Sequence, residues 1–240
     1  MPILIHAKGS EIGERAVICG DPARVKALSE LLGGAKVINT SRRFLAYTGR
    51  FNGKKITLAT HGIGQPSVAI VIEELAQLGV KSIIRLGTAG GLDPKFKTGD
   101  FFVITGATYA NGSTVTQYEG DKFGGISIAQ TPDFGLTRKL AEVLESERID
   151  FKFTNTYSSD SFYSFNPDFA KALASYGNGV VDMEVSTLFM LGKAKKLKTA
   201  SLLVVSNNVI KDTKMVSHAE LEQRVKLAAT AAFEALTKIY

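Results

Sequence analysis

The stretch VICGDPARV, residues 17–25, has the residue types of an anion-binding turn. Gly20 lets the backbone turn tightly after a strand, and Pro22 suits the first turn of a helix. Free amide groups and a positive dipole end at the helix N-terminus favour an anion, and Arg24 can add a forked charge. The stretch predicts a phosphate site, although Gly20 and Asp21 could equally form a simple turn that caps a helix.

A second arginine, Arg85, stands inside the apolar stretch IIRLGTAGG, residues 83–91, with Thr88 among the glycines that follow. An arginine in a buried strand needs an anionic partner, because an unpaired buried charge costs several kcal/mol. That partner could be an internal carboxylate. Since Gly20 and Arg24 also offer donors, a bound phosphate is the simpler explanation.

The stretch VVDMEVSTL, residues 180–188, places Glu184 and Asp182 on either side of Met183 at the start of a predicted helix. A carboxylate there can accept two hydrogen bonds from a diol such as a ribose, while Met183 packs against the sugar face. Taken alone, Glu184 fits better as an acid at a helix N-terminus. The sugar role therefore depends on the neighbouring motifs.

The stretch SLLVVSNNVIKD, residues 201–212, is an apolar strand that ends in two carboxamides. Asn207 carries a donor and an acceptor, so it could bind the edge of a heterocycle, but it cannot release a proton at neutral pH. The alternative is that Asn207 and Asn208 cap the turn after the strand.

Other chemistries find little support. The three histidines are scattered and Cys19 is the single cysteine, so no metal site and no disulfide are expected. No hydrolase elbow or zinc-protease motif occurs, and GTAGG is a poor match to a dinucleotide fingerprint. We expect no metal and no cofactor.

The elements that must position these residues alternate between apolar β-rich runs and helical patterns. This alternation predicts an α/β fold of three layers, with a central mixed sheet flanked by helices. Several strands end in small or polar residues, namely Gly20, His61, Gly87, Ser158 and Ser206. Because ligands bind at the carboxyl ends of strands in such sheets, these ends should meet at one cleft. The region Asn111 to Gly125 is predicted to be a mobile surface loop.

Length and composition favour one domain over residues 1–240. The net charge of +6 is spread along the chain, which fits a small anionic substrate better than nucleic acid. No apolar run is long enough for a membrane span and no secretory signal is visible, so we expect a cytoplasmic protein without membrane partners.

Taken together, seven stretches of the chain resemble the nucleoside phosphorylase family, in the same order and over nearly the whole chain. They are GDPAR, SRRFLAYTG, THGIGQPSVAIVIEELAQLG, IIRLGTAGG, SSDSFY, VVDMEVSTL and LLVVSNN. That family includes hexameric purine nucleoside, methylthioadenosine and uridine phosphorylases. The resemblance implies a pentosyltransferase that converts a ribonucleoside and phosphate, as co-substrate, into free base and ribose 1-phosphate without a metal.

The resemblance also assigns roles to residues. Phosphate would be bound by Gly20, Arg24, Arg85 and Thr88, together with Arg42 from a neighbouring subunit. Met183 and Glu184 would hold the ribose, His6 would reach a neighbour's ribose, and Phe162 would stack on the base. Arg24, Glu184 and Asn207 are the catalytic candidates. A role across subunits implies a homo-oligomer, at least a dimer and by family likeness a hexamer built from dimers.

Two features depart from the family pattern. Purine-specific members carry an aspartate where Asn207 stands, and uridine phosphorylases carry a Gln and an Arg where Asn166 and Asp168 stand here. At the N-terminus Leu4 occupies the place of the ribose-binding histidine, and His6 is two residues away. The spacing after Phe162 matches the purine branch.

These observations predict purine nucleoside phosphorolysis with a preference for 6-oxopurines, since Asn207 could donate to a ring nitrogen and accept from the ring N–H beside a 6-oxo group. Uridine phosphorolysis is the alternative. A nucleoside-binding protein without catalysis and a nucleosidase that uses water are further alternatives.

Overall fold

The structure is a computed structural model, and it describes residues 2–124, 126–163, 166–211 and 214–239. The strands are β1 (Arg15–Cys19), β2 (Gly33–Asn39), β3 (Ala46–Phe51), β4 (Lys54–Thr60), β5 (Ser82–Gly91), β6 (Phe101–Tyr109), β7 (Phe151–Ser158), β8 (Asn178–Asp182) and β9 (Lys198–Asn208). The helices are α1 (Pro22–Ser29), α2 (Gln65–Gln77), α3 (Thr114–Glu119), α4 (Phe134–Ser146), α5 (Pro167–Ser175), α6 (Val185–Lys195) and α7 (His218–Thr237).

All of these strands belong to one mixed sheet of order β2-β3-β4-β1-β5-β8-β7-β6-β9. The pairs β1–β4, β1–β5, β5–β9, β6–β7 and β7–β8 are parallel, whereas β2–β3, β3–β4, β5–β8 and β6–β9 are antiparallel. Because β5 pairs with both β8 and β9, the strands β5, β8, β7, β6 and β9 close into a ring. This closure removes two exposed sheet edges.

Helices cover both faces of the sheet. Apolar residues of α1, α4 and α7 form one core with one side of the strands, and those of α2, α3 and α6 form a second core with the other side. The strands are buried by both layers, which explains why β1, β5 and β9 read as nearly continuous apolar runs. The predicted three-layer α/β fold with a mixed central sheet is confirmed.

The region Asn111 to Gly125, predicted as a loop, contains the short helix α3. Its last residue, Glu119, is buried and accepts hydrogen bonds from the Tyr109 hydroxyl at 3.0 Å and from the Gln130 amide at 3.1 Å. The helix has only six residues, so the sequence shows little periodicity, and the helix depends on contacts with the rest of the fold. Gly125 lies outside the described residues, and the predicted mobility stays a prediction.

The N-terminal segment is fastened to α2 by one carboxylate. Glu74 is 3% exposed and accepts the backbone N–H groups of Ile3 and Ile5, each at 2.7 Å, and of Leu4 at 3.0 Å. A single side chain therefore provides acceptors for three consecutive amides.

We expect Glu74→Gln to lower the free energy of unfolding by about 1–3 kcal/mol, because its amide group would turn N–H donors toward backbone donors. The matched control is Glu73→Gln. Glu73 forms a partly exposed ion pair with Lys195 at 2.7 Å, whose loss should cost about 1 kcal/mol or less. Urea unfolding of both variants measures the difference, and equal effects would contradict the fastening role of Glu74.

Candidate active site

The ends of β1 and β4 lie against each other at Gly20. A Cβ atom on Gly20 would lie 2.9 Å from the carbonyl oxygen of Gly62 and 3.6 Å from His61 Cε1, so no larger residue fits without displacement. Asp21 caps α1 by accepting the N–H of Ala23 at 2.8 Å. The capping turn is therefore real, and it places the first turn of α1, with Arg24, beside the end of β4.

Arg24, His61 and Arg85 form a buried basic cluster, which we call the basic cluster. Their exposed fractions are 8%, 0% and 4%. Among the described residues, nine buried side-chain nitrogen or oxygen atoms lack a hydrogen-bond partner, and five of them belong to these three residues. They are Arg24 Nε, Arg85 Nε and Nη1, and both ring nitrogens of His61. Such a concentration of orphaned groups indicates a site for an oxygen-rich ligand.

The pKa of His61 reflects both its burial and the charges of the two arginines. The pKa of His61 is held well below its ordinary value, first by burial and then by the positive charges of Arg85 and Arg24. The carbonyl groups of Gly62 and His61 oppose this shift. The lowered pKa keeps the imidazole neutral at pH 7. Neither carbonyl group reaches hydrogen-bonding geometry with the ring, so both ring nitrogens lack a hydrogen-bond partner.

Arg85 extends from β5 toward two carboxylates. Its Nη2 donates a short hydrogen bond to Glu184 Oε2, and its Nη1 lies 3.5 Å from Asp182 Oδ2. A Cβ atom on Gly87 would overlap the Arg85 guanidinium, so this glycine makes room for the side chain. The sequence left open that the anionic partner of Arg85 is a carboxylate of the protein, and the structure shows such partners. Arg85 Nε and Nη1 nevertheless lack hydrogen bonds.

Asp182 and Glu184 have different hydrogen-bond partners at the start of α6. Asp182 accepts the N–H groups of Glu184 and Val185, each at 2.9 Å, and the Ser158 hydroxyl at 2.7 Å. Asp182 is therefore the acid that caps the helix. Glu184 lies at the N-cap position of α6, as expected of an acid at a helix N-terminus. Its side chain makes no capping bond and instead accepts the N–H of Gly64 at 2.8 Å.

Burial raises the pKa of Glu184, and the nearby charge of Asp182 acts in the same direction. The Arg85 guanidinium opposes both effects. A carboxylate in this position is costly to ionise unless a cation or several donors accompany it. Met183, between the two acids, is half-buried.

Phe162 follows β7 on a surface segment. Its ring is 54% exposed and packs edge-on against Tyr163 at 5.0 Å between centroids. The segment is attached through Asp160, which accepts the Gln65 amide N–H at 2.9 Å, while Gln65 Oε1 accepts the Thr187 hydroxyl. An exposed ring near the strand ends is available for stacking.

Asn166 and Asp168 have local structural roles. Asn166 caps α5 by accepting the N–H of Phe169 at 2.8 Å, and Asp168 pairs with Lys171 at 3.3 Å. The resemblance to uridine enzymes directs a uracil-binding Gln and Arg to these two positions, where this chain has residues that are engaged locally.

The two carboxamides at the end of β9 differ in function. Asn208 donates to the carbonyl oxygens of Asp93 at 2.8 Å and Phe96 at 3.1 Å, so it holds the turn after β5. Asn207 is half-buried, and its Oδ1 accepts the Ser206 hydroxyl at 3.2 Å. A bulge at Ser206 pairs Asn207 with Gly90, two residues beyond the half-buried Thr88 on β5. The capping alternative therefore applies to Asn208, not Asn207.

Arg42 and His6 are exposed on the surface. Arg42 and Arg43 have φ of 48° and 64°, a left-handed conformation that non-glycine residues rarely adopt. Asn39 links both segments, because its Oδ1 accepts the N–H of His6 at 3.0 Å and its Nδ2 donates to the Phe44 carbonyl at 2.5 Å. The two segments that carry these side chains, which the resemblance directs to a neighbouring subunit, are thus linked through Asn39. Leu4 is buried.

A family model described as the phosphorylase superfamily matches residues 14–240. A purine nucleoside phosphorylase of the DeoD type from Brevibacillus brevis is 34% identical over 212 residues, covering 88% of each chain. The Clostridium perfringens enzyme of the same name is 30% identical over 239 residues, covering 99% of this chain and 100% of the relative. The chain belongs to the phosphorylase superfamily.

A solved structure agrees with this assignment. Uridine phosphorylase from Vibrio fischeri ES114 superposes with a TM-score of 0.86 at 26% identity, covering 99% of this chain and 97% of that one. The predicted membership of the nucleoside phosphorylase family, whose members are pentosyltransferases, is confirmed. The superfamily contains relatives with both names, so family membership leaves the base open.

The structure assigns parts to residues that the sequence motifs left without one. His61 and Gly87 were recognised only as ends of strands, and Asp182 only as a neighbour of Met183. Their signal was a polar or small residue directly after an apolar run.

A surface depression of about 570 Å³ lies apart from these residues. It is lined by residues such as Phe134 and Phe153 but by none of the predicted site residues. Among the described residues, no cluster of three or more His, Cys, Asp or Glu could hold a metal ion.

Within the part of the chain that the structure describes, no helix combines the length and apolar character needed to cross a bilayer.

Stability should fall at mildly acidic pH because of His61. Its pKa in the folded state lies below the ordinary 6.5, so below that pH the unfolded chain binds a proton that the folded protein resists. We expect His61→Gln to flatten the loss of stability between about pH 7 and pH 5, by up to about 1.4 kcal/mol per pH unit. His6→Gln, at an exposed position, is the control. Urea unfolding across this range measures the slopes, and parallel slopes in wild type and His61→Gln would refute the assignment.

Proposed function

We propose that this protein is a nucleoside phosphorylase that uses inorganic phosphate to cleave a ribonucleoside into free base and ribose 1-phosphate. The observation that carries the proposal is the basic cluster of orphaned nitrogens directly beside Glu184. Two guanidinium groups, the amides at the start of α1 and Gly20 can accommodate a tetrahedral dianion there. Thr88 adds a hydroxyl from β5.

The chemistry requires positive charge to be stabilised at the sugar carbon, because glycosidic cleavage passes through an oxocarbenium-like state. A phosphate held against that face of the ring stabilises this charge and waits there as the nucleophile. Glu184 would accept hydrogen bonds from two ribose hydroxyls and fix the sugar carbon at attack distance. Met183 would pack on the sugar, and Phe162 would stack on the base.

The ion pair between Arg85 and Glu184 adds a condition to this mechanism. Arg85 is a proposed phosphate ligand and Glu184 the proposed ribose ligand, yet in this structure they bind each other. Phosphate would draw Arg85 toward itself, and the released Glu184 carboxylate would then accept the ribose hydroxyls. Each substrate would thereby remove a competitor of the other, which makes the two binding steps mutually favourable.

We propose a purine base with 6-oxo preference. The Ser206 hydroxyl occupies one acceptor position on Asn207 Oδ1, so we propose that Asn207 offers its amide N–H groups to the base, rather than the donor and acceptor pair expected from the sequence. A 6-oxopurine offers two neighbouring acceptors, its ring nitrogen and its carbonyl oxygen, whereas adenine offers an acceptor beside a donor. The local engagement of Asn166 and Asp168 speaks against the uracil-binding set. Uridine phosphorolysis stays the second candidate, because the named structural relative is a uridine phosphorylase.

One panel of assays tests the proposal. Purified protein is incubated with and without phosphate and with inosine, guanosine, adenosine, methylthioadenosine or uridine, and base release is followed. We expect phosphate-dependent release from inosine and guanosine. Turnover of uridine alone would overturn the purine assignment, and release that needs no phosphate would indicate a nucleosidase. Calorimetric binding of nucleoside without phosphate consumption would indicate a binder without catalysis.

A homo-oligomer belongs to the same proposal. Three features support it: the linked, exposed segments of Arg42 and His6, the strained arginine turn, and the apolar side chains of Ile3 and Ile63, which are 62% and 77% exposed. We take these residues to form one surface. We propose that this surface faces the active site of a second copy, in a hexamer built from dimers, and that no nucleic acid or membrane takes part. A cytoplasmic location is part of the proposal, and the buried, unpaired Cys19 is consistent with a reducing compartment.

Asn207→Asp should raise kcat/KM for adenosine relative to inosine by about tenfold or more, because a carboxyl group can donate a proton to the departing purine ring nitrogen. The matched control is Asn208→Asp, which alters the neighbouring carboxamide that holds the turn. That control should lower stability and leave the adenosine to inosine ratio unchanged. An unchanged ratio in Asn207→Asp would show that this side chain does not contact the base.

A further inference from the structure

His61 has no assigned role in the mechanism above, although it lies at the centre of the basic cluster. Its ring is completely buried at the carboxyl end of β4, with Cε1 beside Gly20 and both nitrogens without a hydrogen-bond partner. A buried imidazole normally has at least one partner, because each orphaned polar group costs about 1–3 kcal/mol. A ligand that forms a hydrogen bond with this ring would therefore remove an energetic cost.

The charges around His61 restrict what that ligand can be. Burial lowers the pKa of the ring and keeps it neutral, and the positive charges of Arg85 and Arg24 act in the same direction. Of the nearby acids, Asp182 is committed to the start of α6 and Glu184 to Arg85 and Gly64. A neutral ring between two guanidinium groups that also have orphaned nitrogens is matched by an oxyanion, which offers acceptors to all three.

We propose that His61 is a further ligand of the phosphate, donating one imidazole N–H to a phosphate oxygen between Arg24 and Arg85. This inference rests on the proposed function, since it adds a residue to the same anion site. A neutral donor strengthens anion binding without adding a third positive charge that would compete with Arg85 for Glu184. It also explains why a polar residue directly follows the apolar strand β4 at the tight contact with Gly20.

The kinetic test compares a variant that removes the donor with one that retains it. We expect His61→Leu to raise the KM for phosphate by about tenfold, equivalent to about 1.4 kcal/mol. The affinity for nucleoside, measured in the absence of phosphate, should change by about twofold or less, since Glu184 is untouched. His61→Gln keeps an N–H donor and should recover part of the phosphate affinity. A parallel rise of both constants, with no recovery in His61→Gln, would indicate a merely structural residue and overturn the proposal.

A spectroscopic test is independent of turnover. The chain has three histidines, so the ring signals of His61 can be assigned by NMR as those missing from His61→Gln. Titration with inorganic phosphate should shift the His61 signals at the concentration that saturates the site. If phosphate leaves the His61 signals unmoved although wild type turns over, only water occupies the ring's partner position and the inference fails. If His61 responds to phosphate but no nucleoside is cleaved, the inference stands and the proposed function fails.

Discussion

A guanidinium group buried inside a β-sheet needs negative charge close by, and the position of Arg85 on β5 imposes this need on the whole site. Two carboxylates at the start of α6 meet it in this structure, Glu184 by a direct ion pair and Asp182 at 3.5 Å. The pairing keeps two charged residues buried that would otherwise oppose folding. It also joins the proposed anion ligand to the proposed sugar ligand.

Several features of the fold serve this arrangement. Gly87 leaves space for the guanidinium, Gly20 lets the ends of β1 and β4 meet, and Asp182 takes over the helix cap. Because Asp182 caps α6, the Glu184 side chain can accept the Gly64 amide and Arg85. The site is thus composed of charges that neutralise one another until a ligand supplies oxygen atoms of its own.

The sequence was sufficient to predict the layered fold and the convergence of strand ends. Apolar runs that stop at Gly20 and His61 carry this information, because parallel strands bring their carboxyl ends to one edge. Gly87 and Ser206 were also expected at strand ends, but they lie inside β5 and β9, which continue to Gly91 and Asn208. The sequence could not show that β5 pairs with both β8 and β9, since ring closure depends on contacts between residues far apart in the chain. The helix α3 looked like a loop because it has six residues, too few for a periodic pattern, and it is held by hydrogen bonds of Glu119 with Tyr109 and Gln130.

The sequence also could not show which of two chemically similar neighbours has a structural role and which is a candidate ligand. Asp182 and Glu184, or Asn207 and Asn208, are chemically similar neighbours, and only their hydrogen-bond partners separate a structural residue from a candidate ligand. His61 was visible as a polar end of a strand, but its orphaned nitrogens become evident only when the surrounding atoms are known. Burial and partners therefore contribute information that residue type alone lacks.

The central claim is that Glu184 competes with phosphate for Arg85. Calorimetric titration of inorganic phosphate into wild type and Glu184→Gln, in the absence of nucleoside, tests it directly. Although the variant should lose turnover, we predict that it binds phosphate about tenfold more tightly, because Arg85 is released from its strongest partner. Equal or weaker phosphate binding by Glu184→Gln would contradict the competition and, with it, the proposed coupling of the two substrates.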